Sequence, residues 1–336
     1  MTAPNEDGTP VAAESARPAG ARHGLARLRP YTGILALALL CAIFGVSRPR
    51  FFSPENFFNI LNAVAIFGIL AVGQSFPLIG GGFDLSQGAI ASFSGAVTAS
   101  LMSASGLPIP VAVALGLVSG AAMGLANGFL VARVGMNPFV ATLGTQITFF
   151  GATNVFTNNQ PLSLGPQGDV FRQLSFGQLA GFSYASLLFL ALAALLWFTL
   201  NLLPFGQHVY TLGGNEEACR LAGLDTVRLK GMTYVLSGLL AAAAGQVVIA
   251  RAGQASPVAG QGYELESLAS CIIGGIALGG GIGSASQVLL GVLTLGVIDN
   301  GLQMVGDVVS PNWRLVIRGA IILLAAAVDA RARLRR

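Results

Sequence analysis

Gly82-Phe83-Asp84-Leu85 recurs 180 residues later as Gly262-Tyr263-Glu264-Leu265, and Gly95 matches Gly275 at the same offset. Further on, Asn127-Gly128 and Pro138 match Asn300-Gly301 and Pro311 at an offset of 173. A duplicated unit is one reading of these matches; convergence on glycine-rich packing is the other. Around them the chain is one apolar run after another. Runs of about 17–24 residues, enough to cross a roughly 30 Å hydrocarbon layer, fall at 31–47, 57–79, 86–104, 111–134, 138–156, 183–203, 231–250, 266–284, 287–306 and 312–329. The third and eighth are rich in Ser and Gly respectively. The matched segments pair spans two to five with spans seven to ten. An odd number of spans separates equivalent helices, so the two halves are inverted relative to each other. Many transporters are built this way, with the substrate path at the repeat interface.

Composition independently points to the membrane. The 336 residues are 54% hydrophobic and only 10% charged, with a mean hydropathy of +0.72, where a soluble domain carries about 25% charged residues. Strand-length alternation is absent, which excludes a β-barrel reading and leaves an all-α integral membrane protein of about ten spans. Residues 1–30, rich in Ala, Pro, Gly and Arg, read as a disordered arm. The permease domain then takes 31–330, and 331–336 form a basic tail. The run from Tyr31 to Ser47 lacks a small-x-small cleavage site and reads as a retained span, not a signal peptide. With the N-terminus inside, 12 Lys/Arg fall in cytoplasmic segments and 5 outside, with Arg318 left in a span. This asymmetry places both ends in the cytoplasm, and it also accounts for the basic pI without any nucleic-acid partner.

The same topology places the polar stretch 204–230 inside. Within it, Gly213-Gly214-Asn215-Glu216-Glu217-Ala218-Cys219-Arg220-Leu221-Ala222-Gly223 spells a short capped helix. Asn215 is an N-cap, and Glu216 and Glu217 suit the positive end of the helix dipole. Glu216 and Arg220 pair by spacing at i,i+4, and Gly223 closes the helix, giving about 10–12 Å of helix. Such a helix suits engagement of another protein; an ordinary solvated loop helix is the plain alternative. On the fourth span, Gly116, Gly120, Gly124 and Gly128 recur every four residues and predict close contact with a partner helix.

Catalytic signatures are missing. Lys230 is the single lysine and no phosphate-cradling loop precedes it, while Gly279-Gly280-Gly281-Ile282-Gly283 lies in a hydrophobic run and opens no βαβ unit. His23 and His208 have no evident partner for a triad or zinc site, and Cys41, Cys219 and Cys271 are scattered. No catalytic residue and no metal site is expected. Asp299 and Arg318 are the clearest charges inside spans, and their matched depth predicts an intramembrane ion pair. With so few deep acids, energy for transport is expected from a protein bound to the cytoplasmic helix. Gln74, Asn127, Gln146, Asn154, Asn300 and Gln303 are the candidates to line a path; each also fits an interhelical hydrogen-bonding role.

Gly80-Gly81-Gly82-Phe83-Asp84-Leu85-Ser86, Asn127-Gly128-Phe129-Leu130-Val131-Ala132, Pro138-Phe139-Val140-Ala141-Thr142-Leu143-Gly144-Thr145, Gly213 to Gly223 and Gly260-Gln261-Gly262-Tyr263-Glu264-Leu265 together resemble the permease subunits of bacterial ribose-type sugar ABC importers. The likeness runs over about 31–329. It implies a homodimer in the bacterial inner membrane, surrounded by lipid, moving a monosaccharide or polyol along the dimer axis. It also implies a cytoplasmic ATPase partner that binds ATP-Mg, a periplasmic or lipid-anchored sugar-binding protein, and a docking role for Asn215 to Gly223 against the ATPase. Permeases of the same superfamily for nucleosides or branched-chain amino acids, and an ion-coupled secondary carrier, are the rival readings. Three positions depart from the pattern: Cys219 stands for the usual Ala, Asp299 for Asn and Arg318 for Lys.

Overall fold

The computed structural model describes residues 32–306 together with 313, 316, 317, 319 and 320. The helices are α1 (Thr32–Ser47), α2 (Pro54–Ile79), α3 (Gln87–Ser103), α4 (Ile109–Gly128, continued by a π turn over Phe129–Arg133), α5 (Pro138–Phe156), α6 (Gly168–Phe176), α7 (Tyr184–Leu202), α8 (Pro204–Gly214), α9 (Glu216–Leu221), α10 (Thr226–Ala252), α11 (Tyr263–Gly274) and α12 (Ala285–Met304). Four two-residue strands form two antiparallel ribbons. In one, β1 (Leu162–Ser163) pairs with β4 (Gln254–Ala255); in the other, β2 (Gln178–Leu179) pairs with β3 (Phe182–Ser183). Among the described residues, five helices are long and apolar enough to cross a membrane: α2, α4 with its π turn, α7, α10 and α12.

Local sequence sets the ends of the long helices. Ser53 caps α2 by accepting from the Asn56 N–H at 3.2 Å, with Pro54 in the first turn, where its missing N–H is not needed. Asp225 caps α10 by accepting from the Arg228 N–H at 3.0 Å, and Gly253, at φ 72°, closes it in the left-handed conformation. These two helices are the core. The most apolar windows of α10 and α2 are 72% and 67% buried, against 28% for α4 and 33% for α7. They lie against each other, and each is wrapped by a different set: α10 by α3 and α4, α2 by α11 and α12.

Two short helices begin in the middle of this core. The Gln87 side chain, in the first turn of α3, donates to the Leu70 carbonyl at 3.1 Å and to Ser237 Oγ at 3.0 Å. Leu70 lies about 14 Å from the end of α2, and Ser237 about 16 Å from the start of α10, at 1.5 Å per residue. The start of α11 meets α3 at the same depth, where Ser267 Oγ donates to Gln87 Oε1 at 2.7 Å. From this point α3 runs to the end where α10 finishes, beside β1, and α11 runs to the end where α2 finishes. The segment 80–86 therefore enters the core from one end and 253–262 from the other.

This geometry corrects the eighth expected span. Residues 266–284 are not one helix: α11 has 12 residues, about 18 Å. Its end is Gly275 at φ 99°, and the chain turns again through Gly280 and Gly281, both at positive φ. The glycines within this expected span break the helix. Likewise α10 begins at Thr226, five residues before the expected 231, and residues 204–214 form helix α8 rather than open loop.

Gly116, Gly120, Gly124 and Gly128 are all buried. Three of them face α10: a Cβ at Gly120 would come within 2.7 Å of the Gly238 carbonyl, one at Gly124 would overlap the Tyr234 carbonyl, and one at Gly128 would lie 2.8 Å from the Gly231 carbonyl. Gly116 meets Thr98 of α3 and Gln246 of α10. Replacing Gly124 with Leu is expected to force α4 from α10 and lower thermal stability in detergent by about 1–3 kcal/mol or more. Gly144→Ala, on an open face of α5, serves as the neutral control. Equal melting curves for both variants would contradict this packing.

Candidate functional site

The start of α3 in an apolar core leaves backbone N–H groups without helical partners. Asp84, fully buried two residues before the Ser86 N-cap, answers part of this demand. Its Oδ1 accepts from the Ser86 N–H at 2.9 Å and the Ser86 hydroxyl at 2.7 Å, and its Oδ2 from the Ser237 hydroxyl at 2.8 Å. Asn127 Nδ2 donates to Ser86 Oγ at 2.7 Å, while its Oδ1 accepts from Thr145 Oγ1 at 2.6 Å. Ser237 also accepts from Gln87, and Gln87 accepts from Ser267. One hydrogen-bonded chain thus ties α3, α4, α5, α10 and α11 together at the centre.

Glu264, in the first turn of α11, is the second acid here. Gln146 Nε2 donates to its Oε1 at 2.6 Å, but its Oε2 has no hydrogen-bond partner. Gln74 Oε1 accepts from the Asp84 N–H at 3.3 Å, and its Nε2 is likewise buried without a partner. Gly88 leaves the room Glu264 needs: a Cβ at Gly88 would overlap both Glu264 Oε2 and the Gly260 carbonyl.

Of the six path candidates, Gln74, Asn127 and Gln146 meet in this centre. Asn300 lies elsewhere, on α12, exchanging hydrogen bonds with Asn56 at 2.9 and 3.0 Å. Gln303 is exposed one turn further on. Asn154, on α5, has a buried Oδ1 without a partner and joins neither group. Asp299 is half-buried on α12, whereas Arg318 lies outside the described residues, and so does the pair expected between them. Asp84 and Glu264 are more deeply buried than Asp299, and neither stood among the expected membrane charges. Both were read as parts of a repeated motif outside the spans. The signal was present, since the same acid position recurs in both copies of that motif.

The polar stretch builds a second region at the end where α2 finishes and α10 starts. Asn215 Oδ1 accepts from the Ala218 N–H at 2.9 Å and caps α9. At the other end the Gly223 N–H bonds the Arg220 carbonyl and the Leu224 N–H the Cys219 carbonyl, both at 3.1 Å, with Gly223 at φ 81°. This double closure satisfies the last carbonyls. The ion pairs differ from the i,i+4 expectation. Arg220 pairs with Glu217 at 2.7 Å, and Glu216 reaches Lys230 at 2.5 Å. The early start of α10 brings Lys230 round to α9 and takes Glu216 away from Arg220. The Glu217 carboxylate raises the Arg220 pKa above its usual value, but both side chains are exposed, so the pair contributes little stability.

Gly213 and Gly214 join this region to the core. A Cβ at Gly213 would overlap the Ile79 carbonyl and lie 2.5 Å from the Gly281 nitrogen, and one at Gly281 would lie 3.0 Å from Gly214 Cα. The Gly281 N–H donates to the Ile79 carbonyl at 2.8 Å, and Tyr210 Oη to the Gly283 carbonyl at 2.7 Å. The end of α8 is therefore wedged between the chain leaving α2, which leads to Asp84, and the chain leaving α11, the helix whose first turn carries Glu264.

The centre is a set of amides, hydroxyls and carboxylates on meeting helix ends, with no cluster of metal-ligating side chains among the described residues. It is built to hold helices together and to meet polar groups. Asp84→Ala is expected to strand the Ser86 and Ser237 hydroxyls, at about 1–3 kcal/mol for each unsatisfied group, and to lower the melting temperature by several degrees. Asp84→Asn, which keeps one acceptor oxygen, should fall between. A melting temperature for Asp84→Ala equal to wild type would show that the network carries no such weight.

A family model described as a branched-chain amino acid transport system / permease component matches residues 56–326. The chain is 37% identical to the ribose import permease of Bacillus subtilis, over 90% of this chain and 92% of that one. It is 38% identical to the ribose import permease of Escherichia coli K12, over 88% and 92%, and 35% identical to the fructose import permease of Rhizobium meliloti, over 88% and 84%. These matches cover the core helices, the centre and the α8–α9 region together. The chain belongs to this family of transport-system permease components, which spans the membrane several times.

Proposed function

We propose that the chain is the membrane subunit of an ATP-binding-cassette importer for a monosaccharide or a related polyol. The names of its relatives support the sugar: ribose, fructose, allose and galactose import permeases share 32–38% of their residues with it along most of its length. The branched-chain amino acid in the family model's description is the second reading. The observation that carries the mechanism is the wedge of Gly213 between the segments leading from α2 to Asp84 and away from α11. In this reading α9 docks on a cytoplasmic ATPase that binds ATP-Mg, and its displacement moves both broken-helix segments together. A second copy of the chain completes the path, a binding protein outside delivers the sugar, and both termini face the cytoplasm of a bacterial inner membrane.

The reading also includes ten spans in two inverted repeats. Helices α2 and α10 are repeat equivalents, and each packs on the other and on two helices of the opposite half, α2 on α11 and α12, α10 on α3 and α4. Gln87 and Ser267, which touch, are themselves 180 residues apart, the repeat offset. Equivalent residues in contact are what a two-fold axis through the centre requires.

Changing Glu216 and Glu217 together to Arg reverses the charge at the start of α9 and opposes the helix dipole. The Arg220–Glu217 pair it removes is exposed and the Glu216–Lys230 pair lies at the surface of α9, so the fold is expected to survive. The double variant should lose co-purifying ATPase and sugar-stimulated ATP hydrolysis; wild-type levels of both would refute the docking role. The purified chain reconstituted without partners should neither hydrolyse ATP nor accumulate sugar under a proton or sodium gradient. Accumulation driven by either gradient would favour a secondary carrier instead.

A further inference from the structure

A cavity of about 460 Å³ opens between α2, α11 and α12, on the side of the core away from α8 and α9. Its volume falls in the roughly 300–1,000 Å³ range of small-molecule sites. Along α2 the wall runs from Asn56 and Asn59 to Phe67, and from Asn56 to Phe67 that is about 16 Å at 1.5 Å per residue. Asn300 and Gln303 face them from α12, and Glu266 of α11 lies at the inner end, two residues from Glu264. The floor of the cavity is therefore the start of the same helix that carries the polar centre.

The chemistry of the wall is specific. Four primary amides line one cavity, and each presents both donors and an acceptor. Hydroxyl groups also do both, so a polyhydroxyl ligand can match such a wall in many orientations. Asn56 and Asn300 hold each other through paired hydrogen bonds and are pre-positioned. Asn59 and Gln303 are exposed and make no side-chain hydrogen bond among the described residues, so their amides are available. Phe67 sets an aromatic ring among them, held edge-on against Tyr263 with centroids 5.1 Å apart. A ring beside planar polar groups suits a sugar, which has C–H faces as well as hydroxyl edges. A lipid tail would leave the amides unsatisfied.

We propose that this cavity is a hand-over site where a monosaccharide first meets the chain before it enters the path that the second copy completes. The proposal rests on the importer reading above and adds the place and the residues of first contact. Gln303→Cys and Asn59→Cys, each introduced singly with Cys41→Ala, give reporters in the cavity, and Gln178→Cys, exposed on β2, gives one outside it. The complete importer, with its ATPase and binding protein, is labelled with a membrane-impermeant maleimide in the presence of millimolar ribose, fructose, galactose or leucine, and transport of each solute is measured in parallel. The transported sugar is expected to slow labelling at 303 and 59 at least about threefold and to leave 178 unchanged. Unchanged labelling at 303 and 59 while sugar is transported would overturn the site and leave the importer reading intact. Protection by leucine alone would overturn the sugar assignment of the cavity, and absence of any sugar transport would take down the importer reading and this inference with it.

Discussion

A backbone inside an apolar layer must find all its hydrogen bonds within the protein. Two helices of this chain begin in the middle of the core, so their first turns must find partners within the protein. The rest of the arrangement follows from that demand. Asp84 supplies acceptors ahead of α3, the Ser92 hydroxyl accepts from the Gly260 N–H at 2.9 Å ahead of α11, and Gln87 and Ser267 tie the two starts together. Long helices α2 and α10 enclose the junction on both sides and shield it from lipid.

Close approach of backbones makes the junction possible. Lipid tails are as apolar as leucine, so helices in a membrane gain little by burying large side chains and more by packing small ones tightly. Glycine serves that purpose at three places here. Gly88 and Gly260 let the two half-helix entries cross, Gly120 and Gly124 let α4 lie on α10, and Gly213, Gly280 and Gly281 let the end of α8 touch the chain beside it. At each of these sites an added Cβ would meet a backbone atom, which has no rotamer to move into.

The contacts run without a break from the exposed face of α9 to the cavity near Asn300. Lys230 links α9 to the start of α10; Gly213 links α8 to the segment that leads to Asp84 and to the segment that leaves α11; Glu264 and Glu266 lie in the first turn of α11, at its other end, and Glu266 borders the cavity. In the proposed importer this continuity gives the ATPase a short mechanical route to the sugar.

Residue patterns alone determined much of this protein. Hydropathy showed an all-helical membrane chain, Asn215 and Gly223 marked both ends of α9, and the spacing of Gly116 to Gly128 marked a packing face. These features are local, so a short window of sequence contains all their physics. The repeated Gly-aromatic-acid-Leu also carried the two acids, Asp84 and Glu264, that the core buries. Tertiary structure decided the rest. Residues 266–284 are apolar enough to read as a span, yet the chain turns at Gly275 beside Gln287 and at Gly280 and Gly281 beside Gly213 and Ile79. Asp84 and Glu264 fall outside the expected spans, yet the segment 80–86 and the start of α11 that bear them lie in the core. Whether a charge is buried depends on what packs over it from distant parts of the chain, and no local pattern carries that information.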